Sequence, residues 1–209
     1  TDANVGQAGT LDLFKLYNES SLATESKPIE LSRILLKFDI SAVKSMHEEG
    51  KINVADPSFK AYVKLHDVYG GQTTPSNFNT IIFPLAKDFD EGSGFDIVNF
   101  RDLGSSNWVT ASFKAGVLTE WEDTGANKSG SLGAPNIDVI VSGTIQGQSA
   151  PVALCSEQFF ESGEEDLKID VTKFVSASAK DLITNHGFLF AFSGSYEKDK
   201  NSYFVKRFA

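Results

Sequence analysis

The chain has 209 residues and a mass of 22.7 kDa, with 28 acidic and 19 basic residues for a formal charge of −9 and a pI near 4.8. Hydrophobic residues make up 41% and charged residues 22%, which excludes wholesale disorder and leaves enough apolar material for a core without disulfide staples. The acidic balance argues against nucleic acid as a partner, since the densest basic run is only Lys206-Arg207.

In chain order, Leu11-Asp12-Leu13-Phe14-Lys15-Leu16-Tyr17 reads as a first strand. Leu31 to Phe38 is apolar on nearly both faces after Arg33 and is expected to be a central strand. A short helix is expected from Ile40 to Glu49, with Ser41 as N-cap and Gly50 as its stop. In Phe59 to His66, Phe59, Ala61, Val63 and Leu65 alternate with Lys60, Tyr62, Lys64 and His66, the period of a strand with one wet face. Thr80 to Leu85 is interrupted by Pro84, which points to an edge or a bulge.

Further strands are expected over Ile137–Val141 and Asp166–Val171. A second helix is expected from Thr172 to Ile183, capped by Thr172. Gly187 to Ser193 is the most apolar strand and belongs mid-sheet; Ser202 to Lys206 closes the chain. The loops at 70–77 and 125–136 are long and polar, the places where a sandwich would bind. No repeat or linker divides the chain, so residues 1–209 are expected to form one all-β domain, an antiparallel, jelly-roll-like β-sandwich with two short helices.

Reactive chemistry is sparse in the sequence. Gly125-Ala126-Asn127-Lys128-Ser129-Gly130 fails the spacing of a phosphate loop, and Ser193-Gly194-Ser195 is not a nucleophile elbow. His47, His66 and His186 are far apart, so neither a zinc site nor a catalytic base pair is expected. Cys155 follows Val152-Ala153-Leu154 and reads as a buried thiol rather than a nucleophile. The acidic stretches Asp88–Asp96 and Glu161–Asp166 read as solvated turns, the first with calcium as the competing reading. Trp108 and Trp121 stand in loop-like stretches, where each could stack on a sugar ring or plug an end of the sandwich. No catalytic, cofactor or metal residue is assigned.

No stretch is apolar for the roughly 18 residues that a membrane helix needs, and Thr1-Asp2-Ala3-Asn4 shows no signal-peptide core.

Several phrases occur in a familiar order: Asn4-Val5-Gly6, Phe38-Asp39-Ile40-Ser41, the acidic Asp88-Phe89-Asp90-Glu91-Gly92, Ile169-Asp170-Val171-Thr172-Lys173-Phe174-Val175 and Asn185-His186-Gly187-Phe188-Leu189-Phe190. In this the chain resembles the DNRLRE-type β-sandwich family, whose modules look like carbohydrate-binding jelly rolls and occur in secreted bacterial proteins and bacteriophage virions. Phe89 stands where that family usually has tryptophan, and Val205-Lys206-Arg207-Phe208-Ala209 replaces its Ser-Arg-Glu-like ending. The resemblance implies a non-enzymatic structural component of a virion, on head, neck or tail, present in multiple copies and docked to other virion proteins. The second expectation is an extracellular module that binds a surface polysaccharide. Neither implies a cofactor, a nucleic acid or a membrane.

Overall fold

The computed structural model describes residues 3–17, 29–69, 74–95, 104–145, 148–199 and 201–209. The elements run β1 (Leu11–Tyr17), β2 (Ile29–Leu31), β3 (Ile34–Leu36), α1 (Ser41–Glu48), β4 (Tyr62–Leu65) and β5 (Phe78–Pro84). Then follow β6 (Thr110–Lys114), β7 (Val117–Glu120), β8 (Ser129–Ser131), β9 (Val139–Gly143), β10 (Val152–Ala153) and β11 (Ser156–Phe160). The chain ends with β12 (Leu167–Asp170), α2 (Thr172–Ala179), β13 (Phe188–Phe192), α3 (Gly194–Lys198) and β14 (Phe204–Phe208).

Two layers pack face to face, and the fold is an all-β antiparallel sandwich. One layer is the sheet β11-β5-β13-β3. The other joins the sheet β14-β1-β2 to the pair β12-β4. Residues 66–68, just past β4, make that join: His66 and Ala209 exchange backbone hydrogen bonds of 2.8 and 2.9 Å, and Val68 N–H donates to the Arg207 carbonyl at 3.1 Å. The second layer therefore runs β2-β1-β14-β4-β12. A third sheet, β10-β9-β8, contains one parallel pair, β8 with β9, and touches the framework where Leu85 bridges Val139.

The alternation read in the sequence places the core. Leu13, Val63, Leu65, Leu167, Ile169, Phe204 and Phe208 point in from one layer, and Ile34, Phe78, Ile82, Phe160, Phe188, Phe190 and Phe192 from the other. Rings cross the gap edge to face, as Phe192 does with Phe204 at 4.8 Å between centroids. The opposite side of β13 is also covered: Leu189 and Ala191 pack with Leu85, Ala111, Trp121, Ala126 and Val139. Apolar contact on both faces explains the unbroken Phe188-Leu189-Phe190-Ala191-Phe192, which lies mid-sheet between β5 and β3 as expected.

Several local expectations need correction. The segment 31–38 is not one central strand. It breaks at Ser32-Arg33, where the chain passes between layers, and β3 is a sheet edge. The Ser32 hydroxyl makes the break by donating to the Asp12 carbonyl at 2.6 Å and accepting from the Phe14 N–H at 2.8 Å. The strand containing Pro84 is central, flanked by β11 and β13, because Pro84 is its last residue and leaves the ladder whole. The second helix ends at Ala179, not Ile183, and α3 is a third short helix.

Neither Ser41 nor Thr172 is an N-cap. Each is the first helical residue, and the aspartate two positions earlier accepts its N–H, Asp39 from Ser41 and Asp170 from Thr172, both at 2.8 Å. Gly187 has φ +92, and a Cβ there would lie 2.5 Å from the Leu36 carbonyl, so the turn into β13 requires glycine.

Candidate functional site

Among the described residues the β6–β7 hairpin gathers three exposed large apolar side chains. Its two-residue turn, Ala115-Gly116, has φ +51 and +79, positive at both positions as a tight hairpin turn requires. Phe113 pairs directly with Leu118, and Lys114 with Val117. Phe113, Val117 and Leu118 are 46%, 65% and 52% exposed, and no β7 side chain is buried. The base of the hairpin is fixed. Ala111 and Trp121 are buried, the Asp90 carboxylate accepts the Phe113 N–H at 2.7 Å, and Lys114 bridges Asp88 at 2.6 Å and Asp90 at 3.3 Å. A rigid base with an apolar tip suits docking.

The two tryptophans belong to the framework. Trp121 is buried, and its indole N–H donates to the Asn107 carbonyl at 2.9 Å. The Arg33 guanidinium covers the Trp108 ring at 5.2 Å, and a Cβ on Gly125 would stand 2.7 Å from that ring. Arg33 also clasps Glu197 with two bonds, 3.0 and 2.7 Å, and donates to the Gly125 carbonyl. Of the two roles expected for these side chains, plugging is the one their contacts fit.

The acidic stretches are tied to the protein's own donors. Burial raises the Asp88 carboxyl, but hydrogen bonds from Lys114 and Lys37 outweigh it and bring the group to about 2. Asp96, at the end of that stretch, lies outside the described residues. Burial also raises Glu165. Hydrogen bonds from the N–H groups of Ser162, of Glu165 itself and of Glu161 overcome it and set the carboxyl at about 2; the carboxylate accepts from Ser162 at 2.9 Å, from Glu161 at 3.0 Å and also from the Gly163 N–H at 2.8 Å.

His66 meets Asp166 at 3.1 Å, His186 stands 3.9 Å from Asp88, and His47 contacts the Ile52 carbonyl at 3.3 Å. Among the described residues no three His, Cys, Asp or Glu side chains are grouped to hold a metal ion, and no helix is long and apolar enough to cross a membrane. Cys155 is half-buried rather than buried, and burial pushes its thiol up, away from the reactive thiolate. A shallow cleft of about 240 Å³ lies between Ile40, Lys44, Asp181 and Asn185, with Lys44 and Asp181 paired at 2.6 Å within it.

Sequence reading missed the hairpin, because Ala-Gly lacks the Asn-Gly or Asp-Gly mark of such turns. It also missed two inward lysines. Lys15 and Lys206 are fully buried in phase with Leu13 and with Phe204 and Phe208. Lys206 donates to the Asp67 carboxylate and to the Gly163 and Glu165 carbonyls, the last two at 2.7 and 3.1 Å; Lys15 donates to the Tyr196 carbonyl at 2.5 Å and to that of Asp199. Their strand parity is the signal that was available.

No family model, curated protein or solved structure matches this chain.

Proposed function

We propose that the chain is a non-enzymatic docking module, a structural component of a bacteriophage virion that works through protein–protein contact. The observation that carries the docking part is the β6–β7 hairpin, which holds Phe113, Val117 and Leu118 in solvent on a base fixed by Trp121, Asp88 and Asp90. An apolar tip on a rigid support keeps the ordering penalty of association low. The virion setting rests on the family resemblance of the sequence phrases.

The winding supports the jelly-roll part of the reading. Omitting the short β2, the layers run β1-β14-β4-β12 and β3-β13-β5-β11, and the framework connections alternate between them except for the excursion from β5 to β11. Mass spectrometry of particles purified from the source tests the proposal: the chain is expected at fixed stoichiometry with other virion proteins, and its absence overturns the reading.

The second reading, a polysaccharide-binding module, is favoured by Tyr62, which is 44% exposed with the Lys168 ammonium 4.9 Å from its ring. On that reading Tyr62→Ala abolishes glycan retention while leaving the fold intact, and a chain that retains no glycan removes it.

A further inference from the structure

Two surface strips have matching patterns and opposite charge. On β4 and the residue pair before it, Lys60, Tyr62 and Lys64 alternate outward, all exposed, while Val63 and Leu65 point into the core. On β11 and the residue after it, Glu157, Phe159 and Glu161 alternate outward, again all exposed, while Phe160 is buried. Ladder contacts keep both strips extended at their ends: the Ala61 carbonyl accepts from Val171 N–H at 3.0 Å, and the Glu161 carbonyl from Asn77 N–H at 3.1 Å. Each strip spans i to i+4 of extended chain, about 13 Å. Each has an aromatic ring between two like charges, so a lysine meets a glutamate in either relative direction.

The basic strip is only partly compensated within the chain: Asp170, directly across from Tyr62, is near enough to feel the Lys60 charge, and the Lys168 ammonium lies 4.9 Å from the Tyr62 ring. Lys168 lies directly across from Lys64, a like-charge cross-strand pair that opposes folding. Among the described residues, Lys60, Lys64, Lys168, Glu157 and Glu161 form no ion pair. The nearby acids have other partners as well, Asp166 with His66 and Asp170 with the Thr172 N–H, and neither closes an ion pair with the strip lysines. β4 and β11 belong to different layers, so the strips face outward from opposite sides of the sandwich.

We propose that the occupant of the Lys60-Tyr62-Lys64 strip is the Glu157-Phe159-Glu161 strip of a second copy of this chain. Tyr62 packs on Phe159 and the lysines pair with the glutamates. The contact is head-to-tail, so copies stack into a row or a ring rather than a closed symmetric dimer. This deepens the docking reading above by naming one partner. Exposed pairs are individually weak, so the stack forms at high local concentration.

Sedimentation velocity over a range of protein concentrations tests it. At about 0.1 M salt, long-range repulsion between molecules of charge −9 is screened while pairs in contact persist; at about 1 M the pairs are screened too. The native chain is expected to form species larger than 22.7 kDa at the lower salt and to revert at the higher. Lys60→Gln/Lys64→Gln and Glu157→Gln/Glu161→Gln, whose folding is checked by circular dichroism, are each expected to remain monomeric alone. Mixed, they retain one intact strip of each kind and form a pair that grows no further. A native chain that stays monomeric, variants that associate like it, or a mixture that stays monomeric would overturn the stacking. Stoichiometric presence in particles is read separately, so the docking reading can survive that result or fail without it.

Discussion

The Arg33 guanidinium lies 5.2 Å from the centroid of the Trp108 ring, and the same side chain clasps Glu197 through two hydrogen bonds. One residue at the break between β2 and β3 thereby joins the loop before β6, the loop around Gly125 and the short helix α3. Trp108→Ala is expected to lower stability by about 3 kcal/mol, through lost ring burial and the lost cation–π contact. Thermal unfolding reads that loss. A stable Trp108→Ala protein would show that the ring is not part of the framework.

Lys206 is held by three oxygens inside the second layer. Lys206→Met keeps the stem's volume and leaves the Asp67 carboxylate, whose side chain is only 16% exposed, without its cation. Removing one partner of such a buried pair costs about 3–5 kcal/mol. Urea unfolding is expected to show that loss; an unchanged midpoint would mean that Asp67 reaches water without Lys206.

Acid should loosen two particular places. Asp88 and Glu165 both sit at about 2 in the folded chain, below their ordinary values of 3.8 and 4.5. A carboxyl lowered on folding contributes stability that is fully present above its unfolded value and is lost as pH falls through the folded one. The stabilisation is therefore complete at neutral pH and drains between about pH 4.5 and pH 2. Glu165→Ala removes the acceptor of three backbone N–H groups and should lower stability by about 1–2 kcal/mol at pH 7, with a smaller difference near pH 2. Equal losses at both pH values would contradict this assignment.

The hairpin should be dispensable for folding and required for docking. Phe113→Ser and Leu118→Ser alter side chains that are about half exposed, so each should change stability by less than about 0.5 kcal/mol while their combination reduces incorporation into particles. Unfolding curves and particle stoichiometry measured on the same variants separate the two effects. Ala115→Asn supplies the residue preferred at positive φ in this turn and should stabilise by about 0.5–1 kcal/mol.

The framework was largely legible because its strands obey a period of two. Val63 and Leu65 point inward and Tyr62 and Lys64 outward, as their alternation requires. The unbroken Phe188–Phe192 run announced its burial on both faces. What escaped depends on long-range partners. Trp121 looked like a loop residue, yet its place in the second apolar cluster depends on Leu189 and Ala191, far along the chain. Asp138 looked like an ordinary polar position in a strand. Its carboxylate is fully buried and accepts the N–H groups of Glu122, Asp123 and Lys128 at 2.7, 3.0 and 3.0 Å, shaping the loop beneath the hairpin. Lys15 and Lys206 broke the habit of placing lysine in water, since backbone carbonyls arranged by distant turns, joined for Lys206 by the Asp67 carboxylate, accept hydrogen bonds from their ammonium groups.

The most direct measurement of the central claim is a cryo-electron microscopy reconstruction of the particle. The account predicts density for this two-layer sandwich in repeated copies, with Phe113, Val117 and Leu118 of the hairpin buried against a neighbouring protein. Particles without such density, or a sandwich whose hairpin points freely into solvent in every copy, would contradict it.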